Sequence, residues 1–166
     1  TITPHAYFQL TRDGEAAEQV EAFGVSTFTG PAFYTDEGKF QKVKFKDITD
    51  GDAKFVKTSS DGWVAMVQHY FVSALLPEPG TQREYFARAL GNNLFSAGMI
   101  MPIDALAPGA EATVGARLYA GPQEQDKLEA IAPGLDLVVD YGWLTVIAAP
   151  LFWVLSWLHN LTGNWG

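Results

Sequence analysis

Much of the chain alternates apolar and polar residues with the period of a β-strand, and turn signals divide it into short segments. Asp-Gly and Gly-Pro pairs mark several of these turns. Such short, evenly spaced strands favour an antiparallel β-sandwich over alternating α/β units. The segments predicted as strands are HAYFQLTR (5–12), FGVSTFTG (23–30), KFQKVKFKDI (39–48), AKFVKTS (53–59), REYFARAL (83–90), NNLFSAGMIM (92–101) and AEATVGARLYAG (110–121).

The run GWVAMVQHYFVSALLP (62–77) is apolar on both faces when it is read as a single strand. Trp63 and His69 then fall on one face, and Met66 and Tyr70 fall on the other. A strand with two apolar faces is typical of the middle of a packed sheet. We therefore predict one central strand over this run.

The pattern changes after Gly121, and a second region follows the β-sandwich body of residues 1–134. PQEQDKLEAIAPG (122–134) opens with Pro122 and early acidic residues, and its two apolar positions lie three apart. These features predict a short helix near 122–132. Residues 135–139 are predicted as a last strand within the C-terminal region 135–166.

The chain carries no Asp, Glu, Lys or Arg after Asp140, and four of its five tryptophans lie in this tail. A single helix through the tail would approach the thickness of a bilayer. Pro150 argues against it, because its ring clashes with the preceding turn, whereas proline is well tolerated at the start of a helix. We therefore predict two short helices, at 142–148 and 150–161.

The second of these helices is amphipathic, with Ser156, His159 and Asn160 on its polar arc. Tryptophan at the boundary between polar and apolar arcs is typical of a membrane–water interface. Packing against the sandwich is an equally good interpretation of the same pattern. The predicted interface or docking residues are Pro150, Leu151, Trp153, Val154, Leu155, Trp157, Leu158 and Leu161.

Charge and motif content exclude several classes of function. The net charge of −8 disfavours nucleic acid as a partner. The chain has no cysteine, and its three histidines lie far apart, so no metal-ligand spacing is present. Catalytic motifs are also absent from the sequence. We expect a protein that is not an enzyme and that has no cofactor.

A second class of function stays open. Aromatic side chains in a groove of a β-sandwich would suit a carbohydrate or a peptide, although core packing is the commoner role of such side chains. A third interpretation, an enzyme of the mutarotase type, would need a His/Glu site in that groove, and loss of activity on His69→Ala would support it. The candidate groove residues are Trp63, His69, Tyr70 and Tyr85.

Six segments together resemble the large periplasmic domain of the YidC/Oxa1/Alb3 family of membrane protein insertases, in its Gram-negative form. The resemblance runs from about Thr27 to the terminus, and residues 1–26 are less distinctive. The segments are TFTGPA (27–32), KFQKVKF (39–45), DGWVAMVQHYF (61–71), GPQEQDKL (121–128), LDLVVDYGWL (135–144) and PLFWVLSWLHNLTGNWG (150–166).

The resemblance implies a mainly β fold, the C-terminal portion of a galactose-mutarotase-like β-supersandwich, followed by short C-terminal α-helices. It implies a location on the periplasmic side of the bacterial inner membrane, with GNWG leading into a transmembrane helix. Because only a portion of the supersandwich is present, unpaired strand edges are expected.

The resemblance also implies a function and partners. The family inserts and folds inner-membrane proteins, alone or with the Sec translocon, without a cofactor. The expected partners are the lipid bilayer surface, the protein's own transmembrane bundle, nascent membrane proteins, and SecYEG with SecD and SecF. The segment expected to contact the Sec partner is Phe28, Thr29, Gly30 and Pro31.

Removal of residues 150–166 is expected to lower binding of the chain to liposomes, because the deletion removes the interfacial helix. Flotation of the chain with and without these residues measures the effect. Equal flotation and equal thermal stability of the two proteins would contradict the docking role of the tail.

Overall fold

The computed structural model describes residues 1–14, 28–139, 154 and 157. The chain divides into two compact units, of which the first comprises Thr1–Ala17 with Phe28–Val139 and the second Glu18–Thr27 with Asp140–Gly166. The described part of the first unit is mainly β and contains two antiparallel sheets. The predicted fold class is confirmed.

Nine strands and three short helices make up the described part of the chain. The strands are β1 His5–Asp13, β2 Gly30–Thr35, β3 Lys39–Lys42, β4 Thr58–Ser59, β5 Trp63–Val67, β6 Phe71–Pro77, β7 Arg83–Gly91, β8 Leu94–Pro102 and β9 Ala116–Pro122. The helices are α1 Phe45–Asp50, α2 Gln125–Ile131 and a 3₁₀ helix at Leu135–Val138. One sheet has the order β1-β8-β7-β4, and the other has the order β3-β2-β5-β6-β9.

The two sheets pack face to face through one hydrophobic core. Alternate residues of β1, β5, β7 and β8 point into it, as the period-two pattern predicts. The five-stranded sheet contributes Phe33 and Val64, and the four-stranded sheet contributes Tyr85 and Met99. The side chain of Phe33 meets the ring of Tyr85 edge-on at 5.8 Å between centroids.

A second hydrophobic core covers the opposite face of the five-stranded sheet. All five residues of β5 are buried, because Val64 and Met66 face the first core while Trp63, Ala65 and Val67 face the second. The second core is closed by α2 and the 3₁₀ helix, which contribute Leu128, Leu135 and Val138. The described part of the first unit therefore has three layers, with the five-stranded sheet in the middle.

The single strand predicted over 62–77 is wrong, because the run folds as the hairpin β5–β6. Gln68 N–H donates to Phe71 O at 2.9 Å and closes a turn whose central residues are His69 and Tyr70. The Nε2 of Gln123 donates to Gln68 O at 2.6 Å and braces the turn from the end of β9. No Gly, Pro, Asn or Asp marks this turn, so its position was not evident from the sequence.

The strand predicted over 39–48 is correct only to Lys42, where β3 ends and the chain turns into α1. Phe45 and Ile48 lie three apart, so a helix brings both side chains toward the first core. The ring of Phe45 meets that of Phe95 at 4.7 Å. Gly51 ends the helix with a φ of 78°, a left-handed conformation that favours glycine.

Further strand predictions differ from the structure. Of the strand predicted over 110–121 only the part from Ala116 is a strand, since β9 spans Ala116–Pro122. Within 53–59 only Thr58–Ser59 pairs, and Leu135–Val138 forms a 3₁₀ helix where a last strand was predicted over 135–139. Gly30 begins β2 rather than ending a strand over 23–30, a segment whose first five residues lie outside the described part of the chain. At 53–57 and 135–138 tertiary packing overrides a local pattern that resembles a strand.

Replacement of Leu128 by Ala is expected to lower the free energy of unfolding by about 2–5 kcal/mol, because this leucine is 0% exposed between α2 and the sheet. Urea unfolding of the chain measures the loss. The matched control is Leu118→Ala on β9, where the side chain is 61% exposed and the change should stay within about 0.5 kcal/mol. Equal losses in the two variants would contradict the packing of the second core.

Candidate functional site

Residues 125–138, which we call the C-terminal anchor, connect the sandwich to the tail. α2 follows Pro122 and places Leu128 against the sheet, and its backbone continues from Ala132 to the 3₁₀ helix. Leu128, Leu135 and Val138 are all buried in the second core. The whole of the anchor is therefore part of the folded body, and the tail follows it in the chain.

Trp63 fixes the middle of the anchor to the central strand. Its indole Nε1–H donates to Pro133 O at 2.9 Å, a bond between residues far apart in the chain. Gly134, next to Pro133, has a φ of 71°, and a Cβ there would lie 2.3 Å from the ring of Tyr34. Since only glycine fits this conformation and this contact, the Pro133–Gly134 pair has a structural reason beyond ending a helix.

Two of the predicted tail residues fall in the described part of the chain. Val154 and Trp157 are helical and are 43% and 55% exposed. The other predicted interface residues lie outside the described residues: Pro150, Leu151, Trp153, Leu155, Leu158 and Leu161. Within the described residues, no helix combines the length and apolarity needed to cross a membrane.

The four candidate groove residues are not brought together. Trp63 is buried in the second core, whereas Tyr85 is buried in the first. His69 and Tyr70 are exposed at the tip of the β5–β6 turn, where their rings meet edge-on at 4.0 Å. His69 and Tyr70 do not join Trp63 on one face, because a turn interrupts the run 62–77 that was predicted as a single strand.

Arg83 is a buried residue that the sequence interpretation missed. Its guanidinium donates to Ser60 O and to Glu78 O at 2.8 Å each, and its Nε donates to Thr81 O at 2.9 Å. The buried charge is thus satisfied by backbone carbonyls, which it ties together at one end of the sandwich. Arg83 and Tyr85 lie two residues apart on β7 and therefore share one face of the strand. This alternation was the sequence signal that the side chain of Arg83 is buried.

Tyr85 lies beside this cluster and has a perturbed acidity. Its hydroxyl donates to Asp61 O at 2.9 Å. Burial raises the pKa of Tyr85 from 10.0 to about 12, although the nearby charge of Arg83 opposes the shift. The phenol therefore stays neutral and keeps its hydrogen bond at physiological pH.

The segment expected to contact a Sec partner begins outside β2 and continues into it. Gly30 and Pro31 are buried at the start of β2, between β3 and β5. Phe28 and Thr29 precede the strand and are partly exposed. The amino group of Lys42 lies 5.3 Å from the centre of the Phe28 ring. Any contact by this segment would therefore use Phe28 and Thr29.

Within the described residues, no group of three or more His, Asp or Glu side chains is arranged to hold a metal ion. This portion of the molecule offers interaction surfaces and a buried anchor, and its only strongly shifted pKa belongs to the structural Tyr85.

A family model described as the YidC periplasmic domain matches residues 1–154. The chain belongs to the YidC periplasmic domain family. The match confirms the resemblance and extends it to the N-terminal residues that had been less distinctive.

Relatives with the name "Membrane protein insertase YidC" match the whole chain closely. The protein of Aromatoleum aromaticum is 73% identical over 166 residues, which are 100% of this chain and 30% of that protein. The proteins of Dechloromonas aromatica and Thiobacillus denitrificans are 58% and 57% identical, over 99% of this chain and 30% of each relative. The chain thus spans about 30% of the length of the curated relatives that it matches.

The stability of the chain is expected to fall as the pH rises from 10.0 to about 12. The folded-state pKa of Tyr85 lies above that of an unfolded tyrosine, so its contribution is fully present below 10.0 and is lost as the pH passes through about 12. The slope should be on the order of 1 kcal/mol per pH unit.

Urea unfolding across this pH range, compared between the wild type and Tyr85→Phe, measures the slope. The variant should start about 1 kcal/mol less stable, because it lacks the bond to Asp61 O, and should then decline less steeply. Parallel declines in the two proteins would contradict the assignment to Tyr85.

Proposed function

We propose that this chain is a non-catalytic periplasmic domain of a membrane protein insertase, which assists the insertion and folding of inner-membrane proteins by scaffolding and by partner contact. It works alone or with the Sec translocon, on the periplasmic side of the bacterial inner membrane. The insertase name of relatives up to 73% identical supports this function.

The observation that carries the scaffolding role is the burial of the C-terminal anchor. Leu128, Leu135 and Val138 fill the second core, and Trp63 donates to Pro133 O across the same surface. A tail that leaves such a site has a fixed starting point, because the anchor cannot move without opening the core. In the full-length protein this would set the position of the sandwich relative to the transmembrane bundle.

The composition of the tail supports contact with the lipid surface. Val154 and Trp157 are exposed, and the residues after Asp140 carry no Asp, Glu, Lys or Arg. Indole side chains favour the interface between membrane and water. The tail would thus rest at the bilayer surface.

Partner contact with the Sec translocon and with nascent membrane proteins is the second part of the proposal. Phe28 and Thr29 are the accessible part of the segment that the family resemblance assigns to a Sec partner. The role requires binding surfaces and no bond-making chemistry, so no cofactor is invoked.

A flexible linker between Val139 and Asp140 tests the scaffolding role in the full-length insertase. About ten Gly and Ser residues would uncouple the tail from the anchor without changing a core contact. We expect insertion of a model inner-membrane protein into proteoliposomes to fall several-fold. The same linker between Pro108 and Gly109, two exposed residues of a turn, is the control and should leave insertion unchanged.

Both linker variants must keep the wild-type melting temperature for the comparison to hold, which circular dichroism of the chain measures. Full insertion activity with the linker after Val139 would show that a fixed connection to the anchor is not needed, and would refute the scaffolding role.

A further inference from the structure

The β5–β6 turn has only one of the two backbone hydrogen bonds that can close a hairpin with a two-residue loop. Gln68 N–H donates to Phe71 O at 2.9 Å, but among the backbone bonds of the described residues Phe71 N–H does not donate back to Gln68 O. A hydrogen-bonded pair of an antiparallel ladder exchanges both bonds. The carbonyl of Gln68 therefore accepts from a donor outside the hairpin.

The backbone of the turn accounts for its open side. Two-residue loops that match the twist of the strands have positive φ, as Asn92 and Asn93 do between β7 and β8, with φ of 50° and 58°. Neither His69 nor Tyr70 has a positive φ. Because a loop of this kind splays the strands that it joins, it needs support from a neighbouring element.

Gln123 gives this support from the junction between β9 and α2. Its side-chain Nε2 donates to Gln68 O at 2.6 Å and to Phe71 O at 3.1 Å. Its backbone N–H donates to Tyr70 O at 3.0 Å. An amide nitrogen carries two hydrogens, so the side chain of Gln123 donates both of them to the turn.

The same residue fixes the beginning of the C-terminal anchor. Glu124, the next residue, is the N-cap of α2 and makes no side-chain capping bond. The carbonyl of Glu124 accepts the first bond of the helix, from Leu128 N–H at 2.9 Å. The position of α2 on the sheet thus depends on Gln123 at its start and on the buried Leu128 along its length.

The two hydrogen-bonded ties of the anchor lie at opposite ends of β5. Gln68 follows the last residue of β5, whereas Trp63, which donates to Pro133 O, is the first. The anchor is therefore tied at both ends to the strand that is buried on both faces.

We propose that Gln123 is a positioning residue of the insertase, which joins the β5–β6 turn to α2 and so sets where the tail starts. It acts by donating two hydrogen bonds to carbonyls of the turn, which an apolar side chain of the same length cannot do. The inference rests on the scaffolding part of the proposed function and names the residue through which the central sheet holds the start of the anchor.

Hydrogen exchange of the full-length insertase in nanodiscs tests the link between the turn and α2. Gln123→Met keeps the length of the side chain and removes both donors. We expect the amide of Leu128 to exchange at least about tenfold faster in this variant, because two hydrogen bonds no longer hold the start of α2. Gln125→Met, the same change at an exposed position of α2, is the matched control and should leave this rate unchanged.

Insertion of a model inner-membrane protein into proteoliposomes separates positioning from a loss of stability. Gln123→Met should lower insertion by less than the linker after Val139 does. Combined with that linker it should add no further loss, because the linker already uncouples the tail from the anchor. A side chain that only stabilised the domain would lower insertion by the same factor with and without the linker.

A second background makes the same test if Gln123→Met lowers the melting temperature. His69→Asn together with Tyr70→Gly gives a two-residue loop that closes a hairpin without outside support. In this background Gln123→Met should keep the melting temperature and should still accelerate the exchange of the Leu128 amide.

Exchange of the Leu128 amide that is insensitive to Gln123→Met would overturn the proposal, and so would an equal loss of insertion with and without the linker. If the linker lowers insertion while Gln123→Met does not, this inference fails and the scaffolding role stands. If the linker leaves insertion unchanged, the scaffolding role fails and this inference fails with it.

Discussion

The burial of β5 on both faces is the constraint on which the rest of the structure depends. A strand in this position must be covered by one layer on each side, because its alternate residues would otherwise expose a row of apolar side chains to water. The four-stranded sheet covers Val64 and Met66, and the C-terminal anchor covers Trp63, Ala65 and Val67. The anchor is therefore required by the sheet itself.

This constraint links the fold to the proposed function. The anchor is the last part of the sandwich before the uncharged, tryptophan-rich tail, and its position is set by the same packing that stabilises the central sheet. Under the proposed function, a domain built in this way gives the tail a fixed starting point.

The sequence predicted what depends on periodicity and missed what depends on tertiary competition. The strands β1, β7 and β8 were predicted nearly to the residue, because their alternation is uninterrupted, and α2 followed from Pro122 and its early acids. The β5–β6 turn was missed because His69 and Tyr70 are not turn formers, and α1 was missed because Phe45 and Ile48 also suit a strand. The four candidate groove residues lie apart, because Trp63 and Tyr85 are buried in separate cores and the other two are at the tip of the β5–β6 turn.

Native-state hydrogen exchange tests most directly whether the anchor and the sheet are one cooperative unit. The amides to compare are Leu128, which donates to Glu124 O at 2.9 Å, Ala132, which donates to Leu128 O at 3.3 Å, and the paired amides of β5. The anchor amides should exchange with the same opening free energy as the paired amides of β5, because the second core must open before the anchor amides can exchange. Exchange of Leu128 and Ala132 through a much smaller opening free energy, while β5 stays protected, would contradict it.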